Sequence, residues 1–297
     1  VELFKGKSHF GENVTFDETL PTNYLADEVI DDNKVNELLA KKYNETIVIA
    51  EDDSEILAYL KDELSTNFRV IAVNNGYDAV KAVMDDEVSL ILSDVLMPAL
   101  NGFQLCSNIK SNIATCHIPI VLLTALSDDN QRIYGIAEGA DEYIHKPFNM
   151  QYVRLKIIRI IEERKRLAST FAQKFGRLTR REAANLPCVD DVFRDKLFNL
   201  IEAQHSDSNF KIELMSDMLG MSRILLYRKI TSIFGMSPSD LLRNYRLQKA
   251  VQLLTDQRRN VSEVAYIVGF SSPAYFAKCF KSVYNMTPTE YMYRTRE

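Results

Sequence analysis

Between residues 46 and about 163, short continuous apolar runs alternate with amphipathic stretches, and no other feature of the chain restricts its fold as much. TIVIA, FRVIAV, LILSDV, PIVLLTA and EYIH read as five buried strands. Apolar strands separated by helical segments predict a parallel sheet covered on both faces. The intervening helices are expected at residues 56–64, 78–84, 103–109, 131–138 and 152–162. In a sheet of this kind a functional site belongs at the carboxyl ends of the strands.

Those ends carry an unusual set of polar residues. Glu51 and Asp52 follow the first strand, Asp94 the third, Thr124 ends the fourth, and the fifth runs into Lys146 and Pro147. Clustered carboxylates repel one another unless a cation sits among them, and hard oxygen ligands with room for water suit Mg²⁺. A phosphoryl group at the same place would have its oxygens neutralised by the metal and Lys146 and would accept a hydrogen bond from Thr124. Asp94 is then the nucleophile, forming an aspartyl phosphate. Taken singly, an Asp after a strand is ordinarily a helix cap and a Lys-Pro pair a turn; their recurrence at successive strand ends favours the phosphoacceptor reading.

The remainder of the chain is different in kind. Residues 11–45 are acidic and polar and read as a linker with one short helix, and residues 164–190 are polar and basic, continuing the last helix before breaking at Pro187. From residue 191 onward only helical periodicity appears, with an internal repeat at an offset of 50 residues: Met236-Ser-Pro-Ser-Asp240 recurs as Met286-Thr-Pro-Thr-Glu290. Ser237 and Thr287 are expected as N-caps, Pro238 and Pro288 as first helical residues, and Asp240 and Glu290 as the acids of capping boxes. Each unit places a short helix, a glycine (Gly220, Gly269) and a second capped helix in succession, the pattern of a helix-turn-helix whose second helix can enter a major groove. Met215, Leu219, Leu226 and Ile230, with Val264, Val268, Phe276 and Phe280, read as core. Arg223, Ile224, Tyr227 and Arg228 in the first unit and Ser272, Ala274, Ala277 and Lys278 in the second then face outward and are the expected DNA contacts, with Arg228 suited to guanine. Arg243, Arg246 and Lys249 are expected as phosphate contacts or solvated charge.

Charge divides along the same line. Residues 46–150 carry 16 Asp and Glu against six Lys and Arg, whereas Lys and Arg outnumber acids from residue 222 to 297. One half repels a polyanion and the other attracts it.

At the level of motifs, Ile49-Ala-Glu-Asp-Asp53, Ser93-Asp-Val-Leu-Met-Pro98 with Gly102, Leu123-Thr-Ala125 and Tyr143-Ile-His-Lys-Pro-Phe148 resemble, in order and over about 120 residues, the signature of response-regulator receiver domains. The resemblance implies a flavodoxin-like α/β fold in which Asp94 takes phosphate from a phosphohistidine. It also implies that Asp52, Asp94 and the Leu96 carbonyl hold Mg²⁺, with Glu51 acting through water, and that Thr124 and Tyr143 form a switch. Positions two after the phosphoacceptor and two after the switch Thr influence the attacking water in that family; here they are Leu96 and Leu126, so slow self-hydrolysis is expected. The second half resembles AraC-family regulators over about 100 residues, through Gly269-Phe270, Tyr275-Phe276, Phe280-Lys281 and Thr287-Pro288-Thr-Glu290-Tyr291. That implies an all-α domain with two reading helices in successive major-groove turns. Ser216 departs from the family, which has a small apolar residue there. Ala274 and Ala277 are small for a reading helix, so the second unit is expected to anchor more than it discriminates.

The implied organisation is a linker at 1–45, a receiver at 46–165, a second linker at 166–190 and a DNA-binding domain at 191–297. Such a pair is similar to the end of hybrid two-component regulators, and VELFKGKSHF resembles the final strand of a kinase ATP-binding domain. The expected partners are DNA, a histidine kinase domain in cis or in trans, a second copy of the chain once phosphorylated, and RNA polymerase. Phosphatases of the haloacid dehalogenase type share the Asp, Thr and Lys but need an acid two positions after the nucleophile, where this chain has Leu96. A receiver that docks partners without phosphate is the other alternative. No apolar run approaches the roughly 18 residues that cross a bilayer. This segment is therefore expected in the cytoplasm, with Val1 pointing to a longer protein in which a membrane anchor upstream stays open. Cys106, Cys116, Cys188 and Cys279 form no C-x-x-C pair, and His9, His117, His145 and His205 lack metal-ligand spacing, so no transition metal is expected.

Overall fold

The computed structural model describes residues 32–124, 139–175, 190–256 and 259–294. Its first half is a five-stranded parallel sheet in the order β2-β1-β3-β4-β5, built from β1 (Thr46–Ala50), β2 (Arg69–Val73), β3 (Leu90–Asp94), β4 (Ile120–Thr124) and β5 (Glu142–His145). The three inner strands are buried throughout, as their unbroken apolar runs require, while β2 and β5 are sheet edges and half-exposed. Because side chains alternate across a strand, Ile47, Ile49, Leu90, Leu92, Val121 and Leu123 enter one core with α2 (Ser54–Ser65). Val48, Ala50, Ile91, Ile120 and Leu122 enter the other with α3 (Gly76–Asp85) and α4 (Gly102–Ser111). A short helix, α1 (Asp32–Ala40), precedes β1. The helix expected at 131–138, Leu126, the kinase-like opening and residues 176–189 lie outside the described residues.

Helix α5 (Met150–Phe175) is 26 residues long and belongs to both halves. Val153, Ile157 and Ile161 pack under the sheet, whereas Phe171 and Phe175, in the stretch expected as linker, join Phe193, Phe198, Phe234 and Tyr245 in the core of the helical half. That half consists of α6 (Asp191–Gln204), α7 (Ile212–Met218), α8 (Arg223–Phe234), α9 (Pro238–Thr255), α10 (Val261–Ile267), α11 (Pro273–Tyr284) and α12 (Pro288–Arg294). The long α9 is shared: Leu241 and Tyr245 face the first helix pair, and Leu247, Ala250 and Leu254 the second. Among the described residues, no helix is long and apolar enough to cross a membrane.

The two capping boxes differ. At α12 the Glu290 carboxylate accepts from the Thr287 backbone N–H at 2.7 Å, closing the box. At α9 the Ser237 hydroxyl accepts from the Asp240 N–H and donates to its carboxylate. Asp is one methylene shorter than Glu, and its carboxylate takes the hydroxyl instead of the backbone.

The halves meet through a buried polar cluster. Lys229 on α8, fully buried, donates to the Asp190 carboxylate at 2.6 Å and lies 3.2 Å from the Cys116 thiol, which itself donates to Asp190 at 2.9 Å. Beside it His117 is buried, its Nδ1 without a hydrogen-bond partner among the described residues. Burial, then the Lys229 and Arg164 cations, hold its pKa well below 6.5. The unfolded chain therefore binds a proton below pH 6.5 that the folded chain does not, and stability from this site falls as pH drops. The unfolding free energy of the parent, relative to His117→Leu, should fall by about 1 kcal/mol between pH 6.5 and about pH 5.5. Urea midpoints of both proteins at the two pH values measure it.

Candidate phosphoacceptor pocket and DNA-reading face

β1 and β3, adjacent in the sheet, deliver Glu51, Asp52 and Asp94 to one rim, where a carboxylate oxygen of each lies within 4.8 Å of the others. Glu51 is 1% exposed and Asp94 is buried, while Asp52 is open to solvent. Lys146, placed by the backbone bond from its N–H to the Thr124 carbonyl, reaches Glu51 at 2.9 Å and Asp94 at 3.1 Å. The Lys146–Pro147 peptide is cis. Burial pushes Glu51 up to about 7; Lys146 pulls against it, and the Asp94 charge adds to the rise. For Lys146, burial acts to lower the pKa, but the bonds and charges of Glu51 and Asp94 win and raise it.

Asp94 is held from below as well. Its Oδ1 accepts the Val95 N–H at 2.7 Å, while Oδ2 faces Lys146. Thr124 is buried at the end of β4 and paired in register with His145. Tyr143 is half-buried and packs against the core that contains α3 and α4. The Leu96 side chain points to solvent, 60% exposed, and contributes no acid or base. Three clustered carboxylates, two of them paired with one ammonium, leave excess negative charge on oxygen donors close enough to share an ion, so the donor set fits a hard divalent cation such as Mg²⁺.

Gly102 marks how tightly the loop after Asp94 is wound. Its N–H donates to the Val95 carbonyl at 3.0 Å, and a methyl group in place of its hydrogen would sit 2.9 Å from the Val95 Cα and closer still to the Asp94 carbonyl oxygen. Both obstacles are backbone and neither can swing away. Gly102→Ala should therefore cost about 1–3 kcal/mol, read as a lower urea midpoint, and should displace the Asp94 loop.

In the helical half, α7 and α8 are joined through Gly220, and α10 and α11 through Gly269, both in the left-handed region with φ of 68° and 88°. Ser222 and Ser272 cap the second helix of each pair by accepting the N–H of Leu225 and Tyr275. On α8, Ile224 and Tyr227 are exposed, and Arg223 is exposed beside Glu213 at 3.2 Å. Arg228 departs from the expectation that it faces outward. Its guanidinium donates to the carbonyl oxygens of Met84, Asp85 and Asp86, at the end of α3, at 3.3, 2.7 and 2.9 Å. Those carbonyls lack helical partners, and α3 has no basic residue in its last turn to serve them.

On α11, Ala274 and Lys278 are exposed, and Ser272 and Ala277 are half-buried. Tyr275, absent from the expected contacts, is 52% exposed and is the largest side chain on that face. Its place two residues after a proline at the start of the helix was the available signal. Arg246, half-buried, donates to the carbonyls of His205 and Asp207 at 2.8 and 2.7 Å, and a Cβ on Gly269 would lie 2.9 Å from its Nε. Lys249 pairs with Glu202 at 2.9 Å and Arg243 with Asp240 at 2.6 Å. Ser216, buried, turns its hydroxyl to the Glu213 carbonyl at 2.7 Å, which satisfies a polar group where an apolar one was expected. Cys106, Cys116 and Cys279 form no disulfide among the described residues, and Cys188 lies outside them.

Comparison with known proteins gives each half a family. The response regulator receiver domain matches residues 47–158, and a helix-turn-helix domain family matches residues 215–294. Histidine kinase P4 of Formosa agariphila is 37% identical over 280 residues, 94% of this chain and 20% of that protein. The transcriptional regulatory protein GltR of Pseudomonas aeruginosa is 38% identical over 113 residues, 38% of this chain and 47% of the relative. The chain thus spans a fifth of the first relative and about half of the second. Among solved structures, the receiver domain of a signal transduction histidine kinase from Syntrophus aciditrophicus is 34% identical, covering 41% of this chain and 93% of that one, with a TM-score of 0.39. The C-terminal domain of the response regulator yesN from Fusobacterium nucleatum is 32% identical over 33% of this chain and 96% of that one, with a TM-score of 0.32. This chain carries a response regulator receiver domain followed by an AraC-type helix-turn-helix domain.

Proposed function

We propose that the chain is a phosphorylation-controlled transcription regulator in which Asp94 accepts a phosphoryl group from a histidine kinase domain and the helical domain reads DNA. The observation that carries the proposal is the pocket: Glu51, Asp52 and Asp94 with oxygens within 4.8 Å, and Lys146 at 3.1 Å from Asp94. A carboxylate oxygen of Asp94 attacks phosphorus as the phosphorus–nitrogen bond of a phosphohistidine breaks and the imidazole departs. The Val95 N–H holds the other oxygen, so the nucleophile is oriented before the donor arrives. Lys146, 3.1 Å from Asp94, would take one phosphoryl oxygen and the Thr124 hydroxyl another. Glu51, Asp52, Asp94 and the Leu96 carbonyl would hold Mg²⁺, which supplies positive charge against the transferred oxygens.

Leu96 offers no acid or base for releasing the phosphoryl group, which supports a regulator over a phosphatase that turns over substrate. Phosphorylation adds about −1.5 to −2 charges at Asp94. Tyr143, half-buried on β5, and Thr124 are the residues through which that charge would alter the receiver surface. A homodimer formed through that surface would bring two DNA-binding domains to one duplex, with RNA polymerase as a further partner. A cytoplasmic location, with an anchored sensor on the same longer chain, fits a segment that resembles part of a histidine kinase protein. The test is the intact mass of the protein after incubation with Mg²⁺ and acetyl phosphate. A single phosphoryl adduct supports the reading; no adduct on a folded protein overturns it.

A further inference from the structure

Two consecutive cations on the first reading helix are engaged within the chain. Arg228 is bound to the three carbonyls that end α3, and Lys229 is buried against Asp190 and Cys116. The turn that receives Arg228 continues as Asp85, Asp86 and Glu87, of which Asp85 and Glu87 are exposed. Asp86 is partly exposed and pairs with Arg69 at 3.4 Å. Three acids therefore stand beside a helix whose other large outward side chains, Ile224 and Tyr227, remain open to solvent.

We infer that the turn between α3 and β3 of the receiver competes with DNA for the first reading helix, occupying Arg228 and setting Asp85, Asp86 and Glu87 where they repel a phosphate backbone. The inference rests on the reading of the helical domain as DNA-binding. Its chemistry is that of a polyanion: helix-end carbonyls and carboxylates offer a guanidinium the same kind of acceptors as phosphate or a guanine edge. A duplex seated on α8 would meet like charge from the turn and would find Arg228 already satisfied. Reading by the first unit then requires that Arg228 leave the receiver, whereas α10 and α11 keep Lys278 and Tyr275 exposed. The docked chain is thus a weaker DNA binder than the undocked one, and the difference resides in the first unit.

The test uses the whole chain and labelled duplexes of random sequence, about three helical turns long, at about 0.15 M salt, where charges beyond roughly 8 Å are screened. Asp85→Asn with Glu87→Gln should tighten binding at least fivefold. The matched pair Glu55→Gln with Asp62→Asn removes the same charge from exposed positions on α2 and should change it less than twofold. In addition, Arg228→Ala should cost more affinity in the Asp85→Asn/Glu87→Gln background than in the parent, because with the repulsion removed a duplex competes better for a guanidinium whose backbone carbonyl partners are the same in both. Equal effects of the two charge pairs, or equal costs of Arg228→Ala in the two backgrounds, would overturn the competition and leave the DNA reading standing. Failure of every form to bind duplex would overturn both.

Discussion

Asp94→Asn should take up no phosphoryl group from acetyl phosphate under conditions that label the parent fully, and it should lose most of the stabilisation that Mg²⁺ gives the parent. The first effect follows from the nucleophile, since an amide oxygen cannot form the acyl phosphate. The second follows from the donor set. Glu51 and Asp94 are both buried, and the two charges are held near each other with one ammonium between them. A divalent ion relieves that repulsion in the folded chain only. At 100 times its Kd it adds about 2.7 kcal/mol, visible as a rise in Tm. In Asp94→Asn one carboxylate is gone and Lys146 still holds Glu51, so without metal the variant should melt no lower than the parent. Labelling is read by intact mass and stability by melting with and without Mg²⁺. A variant that still gained an adduct would place the nucleophile elsewhere.

The strands were the most legible part of the chain. The runs TIVIA and EYIH became β1 and β5 without a shift of boundary; β1 is apolar because a strand buried at every position must be, whereas β5, at the half-exposed edge, keeps Glu142 and His145. The strand ends were legible for a related reason: Glu51, Asp94 and Lys146 are charges in places that should be apolar or capped, and the structure brings them within 3.1 Å of one another or of a shared cation. What pattern could not give was the partner of a charge. Arg228 and Lys229 look alike in sequence to any solvated cation on a reading helix. One is tied to the end of α3, some 140 residues earlier in the chain, and the other is fully buried. The same is true of Arg246, whose role depends on carbonyls at the end of α6 and on the crowded approach of Gly269. Residues 166–175, expected as a charged linker that continues the last helix, are helical, and what their charge did not reveal is that Phe171 and Phe175 fall at helical spacing on the face that enters the second core.

Lys229 leads to the second large effect. A fully buried ammonium survives only with its counter-charge, and Asp190 provides it at 2.6 Å, with the Cys116 thiol at 3.2 Å and the Phe193 ring 4.6 Å from the nitrogen. Burial alone would raise the Asp190 pKa, but the bonds from Cys116 and Lys229 outweigh it and hold the carboxylate below its ordinary value. Asp190 is then ionised at any pH above the usual carboxylate range, and its contribution is lost only as acid protonates it. Asp190→Ala strands the ammonium and also removes the N-cap of α6, where the carboxylate accepts the Phe193 N–H at 2.9 Å. The loss of a buried partner costs about 3–5 kcal/mol, and a cap about 1 kcal/mol. Pairing the change with Lys229→Met should restore most of the first loss, since an apolar chain of similar length no longer needs a counter-charge. The cap's share should remain lost. Urea unfolding of the parent, the two single variants and the double variant gives a coupling energy, expected to exceed about 2 kcal/mol. A coupling near zero would mean that Lys229 reaches water or another acid when Asp190 is removed, and that charge does not tie the start of α6 to α8 at this point.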